Sequence, residues 1–370
     1  MIRDTARKFA ADELASSALE RDEKELFPHD SIKKLGELGF LGMMVPETYG
    51  GAGLDTVSYV LALEEISRVD ASVGVIMSVN NSLVCHGIFE WGSEEQKQRF
   101  LVPLASGKKL GAFALSEPEA GSDASNQRTT AVRSGDQYIL NGTKNFITNG
   151  SNADVILVMA STDRSKGAHG VSTFLVEKGT PGLSVAKKEK KLGIRSSDTV
   201  SLAFQECVVP ADHRIGVEGF GFKFAMKTLE GGRIGIASQA VGIAMASLDA
   251  SIGYSKQRKA FGHRLADFQA TQFKIADMAT NIDASQMLTL KAAALKDAGK
   301  AYGYAAAMAK LYASDVAVRS ALEAIQIHGG YGYMKEYHVE RYLRDAKITE
   351  IYEGTSEIQR MVISRALLKD

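Results

Sequence analysis

Between residues 57 and 69, Val60, Leu63, Ile66 and Val69 recur at three-residue steps, with Glu64, Glu65 and Arg68 elsewhere. That is the period of a helix with one apolar face. Ser93-Glu94-Glu95-Gln96 has the spacing of a capping box and predicts a helix running into Phe100 and Leu101. The chain reads as helical up to about residue 105. The cluster Tyr49-Gly50-Gly51-Ala52-Gly53 separates its earlier helices from the later ones. Near residue 109 the period changes. Short apolar runs at 110–115, 155–159, 171–176 and 199–204 read as strands. Between residues 132 and 143, Ser134-Gly135-Asp136 reads as a turn and Asn141-Gly142 as a two-residue hairpin signal. Strands without intervening helices predict an antiparallel β-domain. Helices return from about residue 219. Residues 236–254 are nearly all apolar or small, which predicts a helix buried all round. Stretches at 265–297 and 300–328 lead to a last helix after residue 355, and four long helices predict a bundle. The expected fold is therefore α+β, mainly α. It has a helical domain over 1–108, a β-domain over 109–217 and a four-helix bundle over 218–370.

Composition narrows the function. The 370 residues carry 44 Lys plus Arg and 44 Asp plus Glu, so charge gives no reason to expect nucleic acid or an anionic membrane as partner. No run approaches about 18 uninterrupted apolar residues, so no membrane insertion is expected. Cys85 and Cys207 lie far apart and suit a reducing cytoplasm as buried small hydrophobes. His263, His328 and His338 show no metal spacing, and no metal site is expected. There is no Walker A sequence and no GxSxG. The pieces Gly50-Gly51-Ala52-Gly53 and Gly219-Phe220-Gly221 lack the strand-to-helix context of a Rossmann fingerprint.

One carboxylate draws attention. Glu353 lies in Ile351-Tyr352-Glu353-Gly354-Thr355-Ser356, just before the last helix. Ser356 followed by Gln359 fits a capping box, which leaves Glu353 on the loop leading in. In a dry apolar cleft such a group becomes a base near neutral pH. A solvated surface glutamate is the alternative, and the loop alone favours it.

Several stretches occur together, in order. They are Ala114-Leu115-Ser116-Glu117-Pro118-Glu119-Ala120-Gly121-Ser122-Asp123, Gly142-Thr143-Lys144-Asn145-Phe146-Ile147-Thr148-Asn149-Gly150 and Arg195-Ser196-Ser197-Asp198-Thr199. Arg258-Lys259-Ala260-Phe261-Gly262, Gln326-Ile327-His328-Gly329-Gly330 and the closing Tyr352-Glu353-Gly354 stretch complete the set. With the helical, β, helical order, the chain resembles the acyl-CoA dehydrogenase family over nearly its whole length. Ser78-Val79-Asn80-Asn81-Ser82-Leu83 is most similar to the short-chain, butyryl-CoA branch.

The resemblance implies FAD held without a Rossmann fold. Phe113, Leu115 and Ser116 would lie at the flavin, Phe146 would stack on it, and Thr148 would hydrogen-bond its reactive edge. Taken alone, Phe146 could be strand core and Thr148 a turn residue. Arg258, Phe261, Gln269, Gln326 and Gly330 match positions that complete the cofactor site of a neighbouring subunit, with Thr355 and Glu357 on its adenosine side. The implied assembly is a homotetramer, a dimer of dimers. Arg258 could equally belong to a solvated basic run. Ser122, Glu230, Arg233, Tyr352, Gly354 and Arg365 match positions that contact an acyl-CoA. Glu230 and Arg233 stand three apart on a helix start, and an intrahelical ion pair is equally open. The residues near 80–92 and the helix after Arg233 are expected to form the pocket floor.

By resemblance, the reaction is α,β-dehydrogenation of a short acyl-CoA to the trans-2-enoyl thioester. Glu353 would take the α-proton while the β-hydrogen leaves as hydride to flavin N5. Other branches place the base just before the helix arginine, and that position here is Gly232, which has no side chain. Electrons would pass to an electron-transfer flavoprotein. Medium-chain or short-branched substrates remain open, as does a non-catalytic binding role. The chain begins inside the family's first helix, and Phe146 stands where a tryptophan is frequent.

Overall fold

The computed structural model describes residues 1–369. Its first part holds α1 (Ile2–Phe9), α2 (Ala18–Lys24), α3 (His29–Glu37), α4 (Thr56–Val69), α5 (Ala71–Ser78), α6 (His86–Trp91), α7 (Glu94–Gln96) and α8 (Val102–Ala105). A π-helical stretch, Val79–Cys85, joins α5 to α6. Ser93 and Gln96 form the expected capping box at α7.

Of the apolar face read from residues 57–69, Val60, Leu63 and Ile66 are buried and Val69 half-buried, but Glu64 and Glu65 are buried too. Neighbouring elements cover the polar side of α4. Arg3 and Arg7 donate to Glu65 at 2.7 and 2.9 Å, and Gln286 donates to Glu64 at 2.6 Å. Burying a carboxylate costs several kcal/mol unless it is paired and hydrogen-bonded, so these partners are what permits the packing.

Asp70 joins two such roles. Its side chain caps α5 by accepting from Ser72 and Val73, and it pairs with the buried Arg21 at 2.6 Å. Asp70→Ala removes the cap and strands a buried guanidinium. A loss of roughly 3–5 kcal/mol in unfolding free energy is expected. Chemical denaturation would measure it, and a change below about 1 kcal/mol would mean the pair behaves like a surface one.

The middle of the chain folds into eight strands among the described residues. They are β1 (Gly111–Ala114), β2 (Thr130–Ser134), β3 (Gln137–Thr148), β4 (Val155–Ser161), β5 (Val171–Glu177), β6 (Leu183–Lys188), β7 (Thr199–Pro210) and β8 (Arg214–Ile215). The order is β6-β7-β3-β2-β4-β5-β8, with β1 beside β4. The sheet is mixed rather than wholly antiparallel, because β1 runs parallel to β4 with Gly111 opposite Val155. β4 is buried along its length. Val155, Leu157 and Met159 join the helical core, while Ile156, Val158 and Ala160 join a second core within the β-layer. Two buried faces explain its unbroken apolar run.

Asn141-Gly142 is not a hairpin. It lies inside β3, at a register shift against β7, and Ser134-Gly135-Asp136 is the turn between β2 and β3. Gly142 is close-packed, since a Cβ there would lie 2.7 Å from Thr129 Cα. β6 was missed in the sequence because it is an exposed edge strand with almost no apolar alternation.

The last part contains α9 (Gly221–Gln257), α10 (Gln269–Asp297), α11 (Gly303–His328), α12 (Val339–Thr349) and α13 (Ser356–Leu367). Three long helices and two shorter ones thus replace the expected four. α9 is central and packs against α4, α10, α11 and α12. Both α9 and the rod Ala71–Trp91 are long and apolar enough to cross a membrane by length and composition. Their most apolar windows are 78% and 89% buried, as core helices are.

Candidate active site

The loop that carries Glu353 is anchored at both ends. Upstream, α12 is tied to the rest of the molecule by charged groups. Arg344 donates to Asp22 at 2.6 Å, Arg341 to the Val69 carbonyl at 2.8 Å, and Asp345 accepts the Ile194 N–H at 2.6 Å. Downstream, Thr355 caps α13 by accepting the Ile358 N–H at 3.4 Å. The cap therefore falls one residue before the expected Ser356, because Thr355 has the non-helical backbone that a cap needs. Gln359 forms no capping box. It is buried and donates back to the Gly354 carbonyl at 2.8 Å.

Between these anchors the backbone is left-handed at Glu353 (φ 53°) and Gly354 (φ 94°). Glycine adopts this freely, whereas a side chain there costs on the order of 1–2 kcal/mol. Such outliers persist where the surroundings hold them, and they cluster at functional sites. Glu353 is half-buried, yet its Oε2 is sealed and has no hydrogen-bond partner among the described residues. A Cβ on Gly232 would collide with that oxygen and come within 2.8 Å of Leu83 Cδ2. α9 thus presents a glycine where the carboxylate needs room.

Burial pushes the Glu353 carboxyl up to about 7, against the pull of Lys310 and Arg233. Both cations are buried. Lys310 donates to the Gly354 carbonyl at 2.7 Å, and burial brings it down to about 8. Arg233 Nε has no hydrogen-bond partner among the described residues. Glu230 does not pair with Arg233; it meets Lys227 at 3.3 Å, and both sites lie well inside α9 rather than at its start.

A polar layer lies against the same stretch of α9. The Tyr352 hydroxyl donates to Gln239 Oε1, and Gln239 donates to the Ala71 carbonyl at 2.7 Å. Tyr59 donates to Ser78 Oγ at 3.0 Å, and a Cβ at Gly235 would meet both groups. Within the segment expected as pocket floor, Asn80 and Asn81 are structural. They donate to the Leu41 and Phe40 carbonyls and accept from the Gly111 and Met43 N–H groups.

The residues expected at a cofactor lie in two groups. In the first, Asn145 N–H donates to the Ser116 carbonyl at 2.8 Å, joining the Leu115-Ser116 turn to β3. A second register shift in β3 falls between Lys144 and Ile147. It carries Phe146, which is left-handed (φ 60°) and 65% exposed. Thr148 follows it, half-buried. Phe113 instead packs into the helical core. In the second group, Arg258 and Phe261 occupy the α9–α10 connection and Gln269 opens α10, with Gln326 in the last turn of α11 and Gly330 just beyond it, and all five are exposed. Arg258 lies 5.5 Å over the Tyr331 ring. Phe261 is 94% exposed. Glu357, Ser122 and Arg365 are also exposed, and Thr355 already serves as a cap. Among the described residues no His, Cys, Asp and Glu side chains gather as metal ligands.

The chemistry of the first group fits a planar cofactor. An exposed ring on a strained bulge offers a π-face, with half-buried Thr148 two residues on and half-buried Ser116 tied to Asn145 beside it. Lys144 was missed in the sequence. It is buried, pairs with Glu117 at 2.7 Å and donates to the Leu115 carbonyl at 3.1 Å, which holds this turn. Lys310 was missed as well, although a single lysine directly after the run Ala305-Ala306-Ala307-Met308-Ala309 was a signal.

Comparison with known proteins identifies the family. Residues 1–108, 112–207 and 219–368 match the acyl-CoA dehydrogenase N-terminal, middle and C-terminal domains. The chain is 54% identical over 369 residues to the short-chain specific acyl-CoA dehydrogenase, mitochondrial, of Rattus norvegicus, covering 100% of this chain and 90% of that protein. It superposes on butyryl-CoA dehydrogenase from Megasphaera elsdenii with TM-score 0.98 at 50% identity, covering 100% and 97% of the two chains. A chain in a structure described as the electron transferring flavoprotein of Acidaminococcus fermentans gives TM-score 0.99 at 54% identity, covering 100% and 97%. The chain belongs to the acyl-CoA dehydrogenase family of flavin-dependent oxidoreductases.

Proposed function

We propose that this protein dehydrogenates short-chain acyl-CoA thioesters to trans-2-enoyl-CoA with FAD as cofactor. The observation that carries the reading is the Glu353 carboxylate, sealed, unpartnered and raised to about 7. A carboxylate in that state can take a proton near neutral pH. Here it takes the α-proton of the thioester. The Glu353 backbone N–H would donate to the thioester oxygen as charge develops there, where a preorganised donor is worth most. When bound, FAD supplies the acceptor for the β-hydrogen. Leu115, Ser116, Phe146 and Thr148 hold the ring. Arg258, Phe261, Gln269, Gln326 and Gly330, with Thr355 and Glu357, serve the phosphates and adenosine across a homotetramer. Glu230, Arg233, Tyr352, Gly354, Ser122 and Arg365 receive the CoA thioester.

The short-chain choice is supported by the polar layer of Tyr352, Gln239, Tyr59 and Ser78. A long alkyl chain pressed against it would gain little burial and disturb hydrogen bonds between buried groups. The relatives named as short-chain and butyryl-CoA enzymes point the same way. Electrons pass on to an electron-transfer flavoprotein, and the buried, separate thiols Cys85 and Cys207 suit a reducing cytoplasm.

The test is anaerobic titration of the FAD-loaded protein with acyl-CoAs of increasing length. Butyryl-CoA is expected to bleach the flavin fastest. kcat/KM is expected to rise with pH through about 7 and level off above, because the base must be ionised in the free enzyme. A protein that takes up FAD but is bleached by no acyl-CoA overturns the reading.

A further inference from the structure

Lys310 is the one charged residue in an otherwise apolar stretch of α11, and its side chain is fully buried. Taking an ammonium out of water is expensive unless something specific receives it. Among the described residues it has no direct ion pair, and its hydrogen bond goes to a backbone group of the catalytic loop, the Gly354 carbonyl at 2.7 Å. That carbonyl follows the two left-handed residues that aim Glu353 at α9. Gln359 donates to the same oxygen at 2.8 Å from α13. The carbonyl is thus gripped from two helices.

We propose that Lys310 is a positioning residue for Glu353. Its ammonium clamps the Gly354 carbonyl, holds the loop that carries the carboxylate, and supplies the positive charge that keeps that carboxylate ionised where it works. The inference rests on Glu353 being the base. The charged and titratable groups facing the pair are Arg233 from α9, Tyr59 from α4, Glu350 and Tyr352 from the α12–α13 connection, and Glu357 from α13. Of these, only Arg233 is a second cation beside Glu353. It lies on a different helix and does not touch the loop carbonyl. Lys310 is therefore the group that couples loop geometry to charge.

Lys310→Met keeps length and burial but removes the charge and the donor. With the cation gone, the neutral carboxyl is favoured, so Glu353 ionises at higher pH. The acid limb of kcat/KM for butyryl-CoA is expected to move alkaline by about one pH unit or more. For a base at about 7, a one-unit shift reads at pH 7 as roughly a fivefold loss that recovers toward pH 9. Lys310→Arg retains charge and is expected to keep the limb near its wild-type position. Flavin content and melting temperature are followed in parallel, and Lys310→Gln carries the same test should the methionine variant not fold. An acid limb that stays at the wild-type pH in the neutral variants, whatever the size of the activity loss, overturns the proposal, as does an arginine variant that shifts as far as the methionine one. Glu353→Gln separates the two readings. If it remains active, the base assignment itself falls; if it is inactive while Lys310→Met keeps the wild-type limb, only the role of Lys310 falls.

Discussion

Glu353→Gln is expected to slow flavin reduction by butyryl-CoA by about 10³- to 10⁴-fold, with flavin content and acyl-CoA affinity retained. Glutamine has the same shape and can fill the same space beside Gly232 and Leu83. It cannot accept the α-proton. Because Oε2 has no partner among the described residues, the amide strands no hydrogen bond of the fold. The loss should therefore fall on the chemical step. Anaerobic stopped-flow absorbance reads that step directly, and titration with a non-reducing acyl-CoA reads binding. A variant reduced within tenfold of the wild-type rate would remove Glu353 from the mechanism.

Gly232→Ala is expected to lower kcat/KM by roughly 10²-fold, since the added methyl must displace the carboxylate from its place. The new Cβ collides with Glu353 Oε2, and the nearby Leu83 side chain also has to give way. Intrinsic propensity works in the other direction. Alanine is better than glycine in a helix interior by about 1 kcal/mol. Activity and melting temperature should thus respond differently, with activity falling far more than stability. The pair of measurements distinguishes a displaced base from general damage to α9. A variant within threefold of wild type would show that the loop shifts freely and that the close approach is not functional.

Much of this site was legible in the sequence, in patches. Tyr352-Glu353-Gly354 and the β1 and β3 stretches were readable because they are contiguous. Gly232 was readable as a vacant position, but not as the position whose Cβ would overlap the Glu353 oxygen. That fact needs α9 and the α12–α13 loop in one frame. Lys310 and Gln239 escaped for the same reason. Each looks like an isolated polar residue in an apolar helix, and its partner lies 44 or 113 positions away. In the fold, the helices of period 3.6 were recovered well. The burial of Glu64 and Glu65 is not legible in the sequence, because a charged residue between apolar ones ordinarily faces water, and distant arginines and Gln286 are what make it tolerable. Asn141-Gly142 misled because a hairpin signal and a bulge inside a strand both use glycine.

The buried carboxyls have a consequence for when the protein is most stable. Glu353, Glu64 and Asp345 are each held at about 7 by burial. In an unfolded chain such groups ionise near pH 4. Between those limits the folded molecule keeps protons that the unfolded chain has released, so folding takes up protons. The stability contribution of these groups is fully present below about pH 4 and is lost as pH rises through about 7. The base is useful only once it has lost its proton. The pH range in which the site can work is therefore the range in which its own carboxylate weakens the fold that holds it.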